Sequence, residues 1–99
     1  MAAISFLARM TVKPGREEDF LRLARNLEEN VHAKEPDTLY YRFFRLREPR
    51  QFAVMESFAD AAAEEKHMNS DYLAETAPPL LDCLEGDPPY VREYLDPID

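Results

Sequence analysis

The middle of the chain carries two extended segments separated by a four-residue turn. Residues 38–46 are rich in tyrosine and phenylalanine, residues 51–58 form a second apolar run, and Arg47-Glu48-Pro49-Arg50 lies between them. Aromatic enrichment favours strands, and a connection this short joins antiparallel neighbours. The sequence therefore predicts a β-hairpin over residues 38–58, which any fold of this chain must accommodate.

A strand and a helix precede the hairpin. Residues 4–12 alternate imperfectly between apolar and polar and predict a buried strand, which Lys13-Pro14-Gly15 ends. Phe20, Leu27 and Val31 then recur at helical spacing, after an acidic first turn that suits a helix N-terminus. Glu35-Pro36-Asp37 is expected to end this helix.

A second helix and a last strand follow the hairpin. Asp60 is a plausible N-cap for a helix that runs to about residue 69. A short turn is expected at Ser70-Asp71, and Pro78-Pro79 suits the first turn of another short helix, ending near residue 86. Residues 90–95 predict the final strand.

Two β-α-β units joined by a hairpin make an α+β fold of the ferredoxin-like type, with the order β-α-β-β-α-β. Both helices should cover one face of a four-stranded antiparallel sheet, and residues 1–99 should form a single domain. The aromatics of the hairpin point to both faces of the sheet. Since a chain of 99 residues buries only roughly two-thirds of its unfolded surface, we expect a second copy to cover the outer face, which gives a homodimeric α+β barrel.

Composition excludes several classes of partner and location. Twenty acidic residues against twelve basic ones give a formal charge of −8, which repels phosphate backbones and excludes nucleic acid as a partner. The sequence has no signal-peptide pattern and no apolar run long enough to cross a membrane. Cys83 is the single cysteine, is expected to be buried, and suits a reducing, cytoplasmic location.

The sequence also lacks the motifs that hold common cofactors. It contains no glycine-rich phosphate loop, no CxxC pair, no HExxH and no G-x-S-x-G, and its two histidines and one cysteine are too few for a structural zinc site. We therefore expect neither a cofactor nor a metal. If the protein is an enzyme, it works with side chains alone.

Two segments carry a recognisable pattern. Residues 52–60 read Phe-Ala-Val-Met-Glu-Ser-Phe-Ala-Asp, and residues 67–72 read His-Met-Asn-Ser-Asp-Tyr. With the opening Val-Lys-Pro-Gly-Arg-Glu-Glu of residues 12–18, Tyr41 and the ending Tyr-Leu-Asp-Pro-Ile of residues 94–98, this pattern resembles the antibiotic biosynthesis monooxygenase family. The resemblance implies a dimeric α+β barrel and a cofactor-independent monooxygenase that acts on a quinol or a polycyclic phenol.

Such an enzyme needs a dry apolar cavity, a base for the phenolic proton and a polar group for the developing superoxide. Histidine titrates near neutral pH and suits the base. The resemblance implies this role for His67, which lies one helical turn after Ala63 and should face the sheet. The alternative is a structural histidine, bonded to a backbone carbonyl or to Glu56.

The expected substrate-binding residues are Glu56, Phe58, Tyr41, Asn69 and Tyr72. Glu56 either orients His67 and binds substrate hydroxyls or forms a structural ion pair with Arg42, and the ion pair is the favoured interpretation. Most of the strand aromatics are expected to be core or dimer interface. Asn69 and Tyr72 are expected as polar contacts at the rim of the cavity.

The sequence departs from the haem-degrading branch of the family. That branch has an asparagine in the first strand, a haem-ligating histidine after the second helix and a tryptophan on that helix. The matching residues are Ala8, Ala77 and His67, so haem binding is not expected. Two other functions stay open, namely non-catalytic binding of a small aromatic ligand and isomerisation of a small keto metabolite.

Overall fold

A computed structural model describes residues 3–98 of the chain. Four strands and three helices follow one another in the order β-α-β-β-α-α-β. They are β1 (Ile4–Thr11), α1 (Glu17–Lys34), β2 (Thr38–Arg45), β3 (Gln51–Phe58), α2 (Ala61–Met68), α3 (Asp71–Asp82) and β4 (Arg92–Tyr94). The ferredoxin-like prediction is confirmed, and the short third helix expected between Pro78 and about residue 86 lies instead at Asp71–Asp82.

The four strands form one antiparallel sheet in the order β2-β3-β1-β4. The predicted hairpin joins β2 to β3, and its turn is closed by hydrogen bonds between the backbones of Leu46 and Gln51 and of Gln51 and Glu48. Arg50 has a φ of 64°, the left-handed conformation that a tight turn often needs. The register places Tyr41 opposite Glu56 and Phe6 opposite Tyr94.

The helices cover one face of the sheet, called here the inner face. The buried side of α1 consists of Phe20, Ala24, Leu27 and Val31. Phe20 packs on Phe52 of β3, with the ring centroids 4.8 Å apart. Burial of such an aromatic ring contributes roughly 1.5–3 kcal/mol to folding, so this contact stabilises the packing of α1 on the sheet.

The second half of the chain differs from its prediction. Asp60 does cap α2, since its carboxylate accepts the backbone N–H of Ala63 at 2.9 Å. However, Pro78 and Pro79 lie inside α3 instead of beginning a new helix. Each proline removes one helical hydrogen bond, but α3 packs against α1 and buries Leu80. This packing keeps residues 71–82 in one helix.

The last strand is shorter than the predicted range of residues 90–95. The ladder with β1 spans Arg92–Tyr94, and the backbone N–H of Leu95 donates to the carbonyl of Ser5 at 2.9 Å just beyond it. Cys83 is fully buried, as expected.

The outer face of the sheet has no helix over it. Leu39, Tyr40 and Phe44 of β2 are 60%, 39% and 39% exposed, and the rings of Tyr40 and Phe44 stack 6.5 Å apart. The outer aromatics come from β2 alone, whereas those of β3 both face the helices. The aromatics of the hairpin thus lie on both faces of the sheet, as expected.

Candidate functional site

His67 lies in the last turn of α2 with only 2% of its surface exposed. Ala63, one turn earlier, is buried on the same side of the helix. The imidazole packs against Tyr41 and Phe58, whose ring centroids are 5.1 and 5.3 Å away. The histidine singled out from the sequence thus points inward, onto the inner face of the sheet.

Glu35, the residue that ends α1, holds this imidazole. Nδ1 of His67 lies 2.9 Å from Oε2 and 3.1 Å from Oε1 of Glu35. Thr38 donates its hydroxyl to the same carboxylate at 2.6 Å, and Tyr72 donates its phenolic hydroxyl. Burial disfavours the charged form of Glu35, but the hydrogen bonds from Thr38, Tyr72 and His67 outweigh burial and lower the pKa of this carboxyl.

The contact with Glu35 determines the tautomer of His67. An ionised carboxylate can only accept hydrogen bonds, so the imidazole hydrogen is on Nδ1. In the neutral imidazole, the lone pair is then on Nε2. That nitrogen faces the opposite side of the ring, where Glu56 and the cavity lie.

Sequence reasoning took Glu35 only as the end of a helix. One signal could have found it. A negative charge at a helix C-terminus is unfavourable because it faces the negative end of the helix dipole. An acidic residue at this position therefore indicates a compensating interaction elsewhere. For Glu35 that interaction is the hydrogen bond to His67.

Glu56 approaches the other nitrogen of the imidazole. Its Oε1 lies 3.6 Å from Nε2 of His67, beyond hydrogen-bond distance, and has no hydrogen-bond partner among residues 3–98. The residue is 7% exposed. Burial and the negative charges of Glu35 and Glu64, only partly offset by Arg92, raise the pKa of Glu56 to about 8. Near neutral pH, Glu56 is therefore a neutral acid beside a free imidazole nitrogen.

The predicted ion pair of Glu56 with Arg42 is wrong. The register pairs Glu56 with Tyr41 and places Arg42 opposite Met55, on the outer face. A one-residue offset along a strand reverses the face of the sheet. The positive charge that lowers the pKa of Glu56 is instead Arg92 of β4.

Arg92 reaches the site across the sheet. It pairs with Ala8, which in turn pairs with Val54, and the small alanine side chain leaves room for the arginine to lie over the inner face. The guanidinium lies 5.2 Å from the ring centroid of Phe6, and Nε is buried without a hydrogen-bond partner in the described part of the chain. No sequence motif indicated Arg92, because only the strand pairing brings it to the site.

His67, Glu56, Arg92 and Tyr41 line a cavity of about 110 Å³ between the sheet and the helices. Most of its wall is apolar and is contributed by the inner faces of β1, β2 and β3, by the three helices and by the segment after α3. These apolar residues include Leu27, Leu73, Leu80, Leu81 and Leu84. The cavity is thus an apolar space in which a few polar groups converge, the usual composition of a small-molecule site.

The other expected site residues lie elsewhere. Phe58 packs behind the imidazole and does not line the cavity. Asn69 is exposed at the end of α2, in a polar surface groove that Tyr72 and Glu35 also line. Tyr72 therefore acts on His67 through Glu35, and Asn69 is not brought to the cavity. Burial raises the pKa of Tyr72 to about 12, with the Glu35 carboxylate adding to the effect, so its hydroxyl stays protonated.

Residues 3–98 contain neither a metal-ligand cluster nor a membrane-spanning helix. No group of three His, Cys, Asp or Glu side chains in this part of the chain lies close enough to hold a metal ion. None of its helices has the length and apolar character needed to cross a lipid bilayer.

Solved structures with the same architecture include proteins from bacteria and archaea. A Caulobacter crescentus protein, described as a candidate antibiotic biosynthesis monooxygenase, is 28% identical with a TM-score of 0.89, over 98% of this chain and 91% of its own. A conserved Methanosarcina mazei protein is 27% identical with a TM-score of 0.85, over 96% of this chain and 92% of its own. A Pseudomonas aeruginosa protein is 22% identical with a TM-score of 0.85, over 100% of this chain and 97% of its own. At this identity the likeness shows only that the two proteins share a fold.

No curated protein matches the sequence significantly. The sequence profile of the antibiotic biosynthesis monooxygenase family does match it, over residues 3–78. This match covers more than half of the chain, from β1 into α3, and includes Glu35, Glu56 and His67, while Arg92 lies beyond it. The chain belongs to the antibiotic biosynthesis monooxygenase family.

Proposed function

We propose that the protein is a cofactor-independent monooxygenase that oxidises a quinol or phenol with molecular oxygen. The observation that supports this most directly is the orientation of His67. Glu35 fixes its proton on Nδ1, and the free Nε2 faces a mainly apolar cavity. A base in such a surrounding can generate an electron-rich phenolate and keep bulk water from quenching it.

For a quinol the reaction would proceed in balanced steps. Nε2 of His67 takes one phenolic proton, and the resulting anion transfers one electron to O₂. Superoxide and the aryl radical combine, which forms a C–O bond at a ring carbon. The imidazolium returns its proton to the distal peroxide oxygen. Loss of the proton on that ring carbon then breaks the O–O bond and releases water, so C₆H₆O₂ and O₂ become C₆H₄O₃ and H₂O.

The other polar groups of the cavity have matching roles in this proposal. Arg92 supplies positive charge near the phenolate and the developing superoxide. Glu56, neutral near pH 7, offers a hydrogen bond to a substrate oxygen without repelling the anion. Tyr41 forms part of the wall beside His67. Phe58 packs against the imidazole, Tyr72 holds the Glu35 carboxylate, and Asn69 has no role.

Oxygen uptake tests the proposal. Purified protein is mixed with a panel of reduced quinones and anthrones, and oxygen consumption is followed with an electrode. We expect uptake above the buffer rate, lowered about 100-fold or more in His67→Ala and unchanged in His32→Ala, which alters the only other histidine. Uptake at the buffer rate with every compound, or equal uptake by His67→Ala, would refute the proposal.

One observation favours a second candidate function. A free base, Nε2 of His67, and a neutral acid, Glu56, lie 3.6 Å apart in one cavity, and an isomerase of a small keto metabolite needs such a pair to move a proton between neighbouring carbons. Incorporation of solvent deuterium at a substrate carbon without oxygen consumption would identify this activity. Binding without either reaction would identify a ligand-binding protein.

We also propose that the protein is a cytoplasmic homodimer formed through the outer face of the sheet. The exposed Leu39, Tyr40 and Phe44 support this arrangement, since contiguous apolar surface of this kind marks interaction sites. A second copy presents the same face, as a two-fold axis requires.

A further inference from the structure

One wall of the cavity is a stripe of apolar side chains on α3. Leu73, Ala77 and Leu81 all line the cavity, and they are spaced four residues apart, so they share one face of the helix. At a rise of about 1.5 Å per residue, the distance from the first to the last is about 12 Å along the helix axis. These three residues are called here the α3 stripe.

The α3 stripe begins beside the imidazole of His67 and leads away from it. Tyr72, at the start of α3, donates its hydroxyl to Glu35, the residue that holds the imidazole. The chain directly after α3 pairs with the residue directly after β1, at Leu84 and Val12. The stripe therefore connects the polar part of the cavity with a region about two helical turns away.

The exposed residues that line the cavity are apolar, whereas its acid and its base are buried. Met68 and Leu81 are 43% and 37% exposed, while Glu56 and His67 are 7% and 2% exposed. Single exposed apolar side chains are common on protein surfaces. Here they border the opening of a cavity, a position at which exposed apolar surface marks a binding groove.

This distribution of polarity specifies a ligand that enters with its polar end first. A polar head reaches Nε2 of His67 and Oε1 of Glu56, an oxygen without a hydrogen-bond partner in the described part of the chain. The rest of the ligand then lies against the α3 stripe. A polar chain would lose its hydration there without finding hydrogen-bond partners, whereas an apolar chain gains free energy with every methylene group that leaves water.

We propose that the ligand carries an unbranched apolar chain on its polar head, and that this chain lies along the α3 stripe toward Leu81. The choice of a phenolic head rests on the proposed function. The chain follows from the stripe and its exposure. The site thus selects alkyl-substituted quinols over unsubstituted ones, and the length of the chain determines the affinity.

A series of alkylhydroquinones tests the presence of the chain. Hydroquinones with methyl, propyl and hexyl substituents are titrated by calorimetry without oxygen, so that binding is measured in the absence of turnover. Full burial of one methylene group is worth about fourfold in affinity. Because the stripe leaves one side of the chain in solvent, we expect about twofold or more for each added methylene. An affinity that is independent of chain length, or no binding of any member, would overturn the proposal.

Variants at Leu81 test the position of the chain. Leu81→Ser changes an exposed residue, so the fold should tolerate it, and it should remove most of the gain from propyl to hexyl while methylhydroquinone binds as before. Leu81→Met stays apolar and should keep the gain. Leu95→Ser is the control, since Leu95 is 44% exposed and does not line the cavity. Equal dependence on chain length in Leu81→Ser and Leu95→Ser would overturn the assignment to the α3 stripe.

Oxygen uptake in air separates this inference from the proposed function. An affinity that rises with chain length, without oxygen uptake by any member of the series, would refute the monooxygenase and leave the chain site standing. Oxygen uptake with equal affinity for all chain lengths would refute the chain site alone.

Discussion

Nδ1 of His67 lies 2.9 Å from Oε2 of Glu35, although 32 residues separate the two in sequence. The contact joins the end of α1 to the last turn of α2. The contact places the imidazole hydrogen on Nδ1, and Nε2 faces the cavity. Most of the proposed chemistry depends on this pair.

Replacement of Glu35 by Gln should lower kcat/KM. The amide is the same size but carries no charge, so it neither fixes the Nδ1–H tautomer nor stabilises the imidazolium. A hydrogen bond to a charged group is worth about 1.5–3 kcal/mol, which corresponds to a loss of about 10- to 100-fold. Steady-state oxygen uptake measures the effect. Glu29→Gln, an exposed change on the same helix, is the control, and equal rates for the two variants would exclude the role of Glu35.

Glu56 should make stability depend on pH. The folded protein keeps the proton of Glu56 up to about pH 8, whereas the unfolded chain releases it near its ordinary pKa of 4.5. Between these values the folded state binds the extra proton, so the contribution of Glu56 to the free energy of unfolding falls as pH rises.

Glu56→Gln removes this dependence. Its free energy of unfolding relative to the parent protein should increase by about 1 kcal/mol or more between pH 5 and pH 8. Urea denaturation at several pH values measures it. Glu65→Gln, exposed on α2, should show no such trend, and parallel curves for Glu56→Gln and the parent would contradict the raised pKa.

The N-cap of α2 should contribute to stability. Asp60→Ala removes the acceptor for the N–H of Ala63 and should lower the free energy of unfolding by about 1 kcal/mol. Thermal denaturation followed by circular dichroism measures the change. Asp60→Asn keeps an acceptor oxygen and should lose less, whereas equal losses would show that the cap is not the cause.

The outer face should carry the dimer contact. Phe44→Asp places a charge in the proposed interface, where burying it without a partner is costly. Light scattering after size-exclusion chromatography should give twice the mass of one chain for the parent protein and a single-chain mass for the variant. Arg47→Gln, in the hairpin turn, changes the net charge by the same one unit and serves as the control. A monomeric parent protein would rule out the dimer.

Local sequence patterns predicted the fold well. The hairpin, the buried side of α1 and the cap at Asp60 each follow from residue spacing or turn chemistry, and the structure has all three. The error at Pro78-Pro79 has a tertiary cause. Proline indicates a helix start in an isolated segment, but packing against α1 continues α3 through both residues.

The site could be predicted only in part, because it depends on pairing between distant segments. Helical spacing was sufficient to predict that the side chain of His67 faces the sheet. The neighbours of this histidine could not be predicted from local spacing. Glu35 lies at the end of another helix, and Arg92 lies on the edge strand β4. The mistaken prediction of a Glu56–Arg42 ion pair also depended on strand pairing. A shift of one residue in the register between β2 and β3 moves a side chain to the opposite face of the sheet.

The protonation state of His67 tests the central claim most directly. Nitrogen-15 NMR of histidine-labelled protein, with His32→Ala used for assignment, reports which ring nitrogen carries hydrogen. We predict that the neutral imidazole carries its hydrogen on Nδ1 and leaves Nε2 bare, and that the Nε2 resonance shifts when a quinol is added without oxygen. Hydrogen on Nε2, or a bare Nε2 that does not respond to the quinol, would contradict the account.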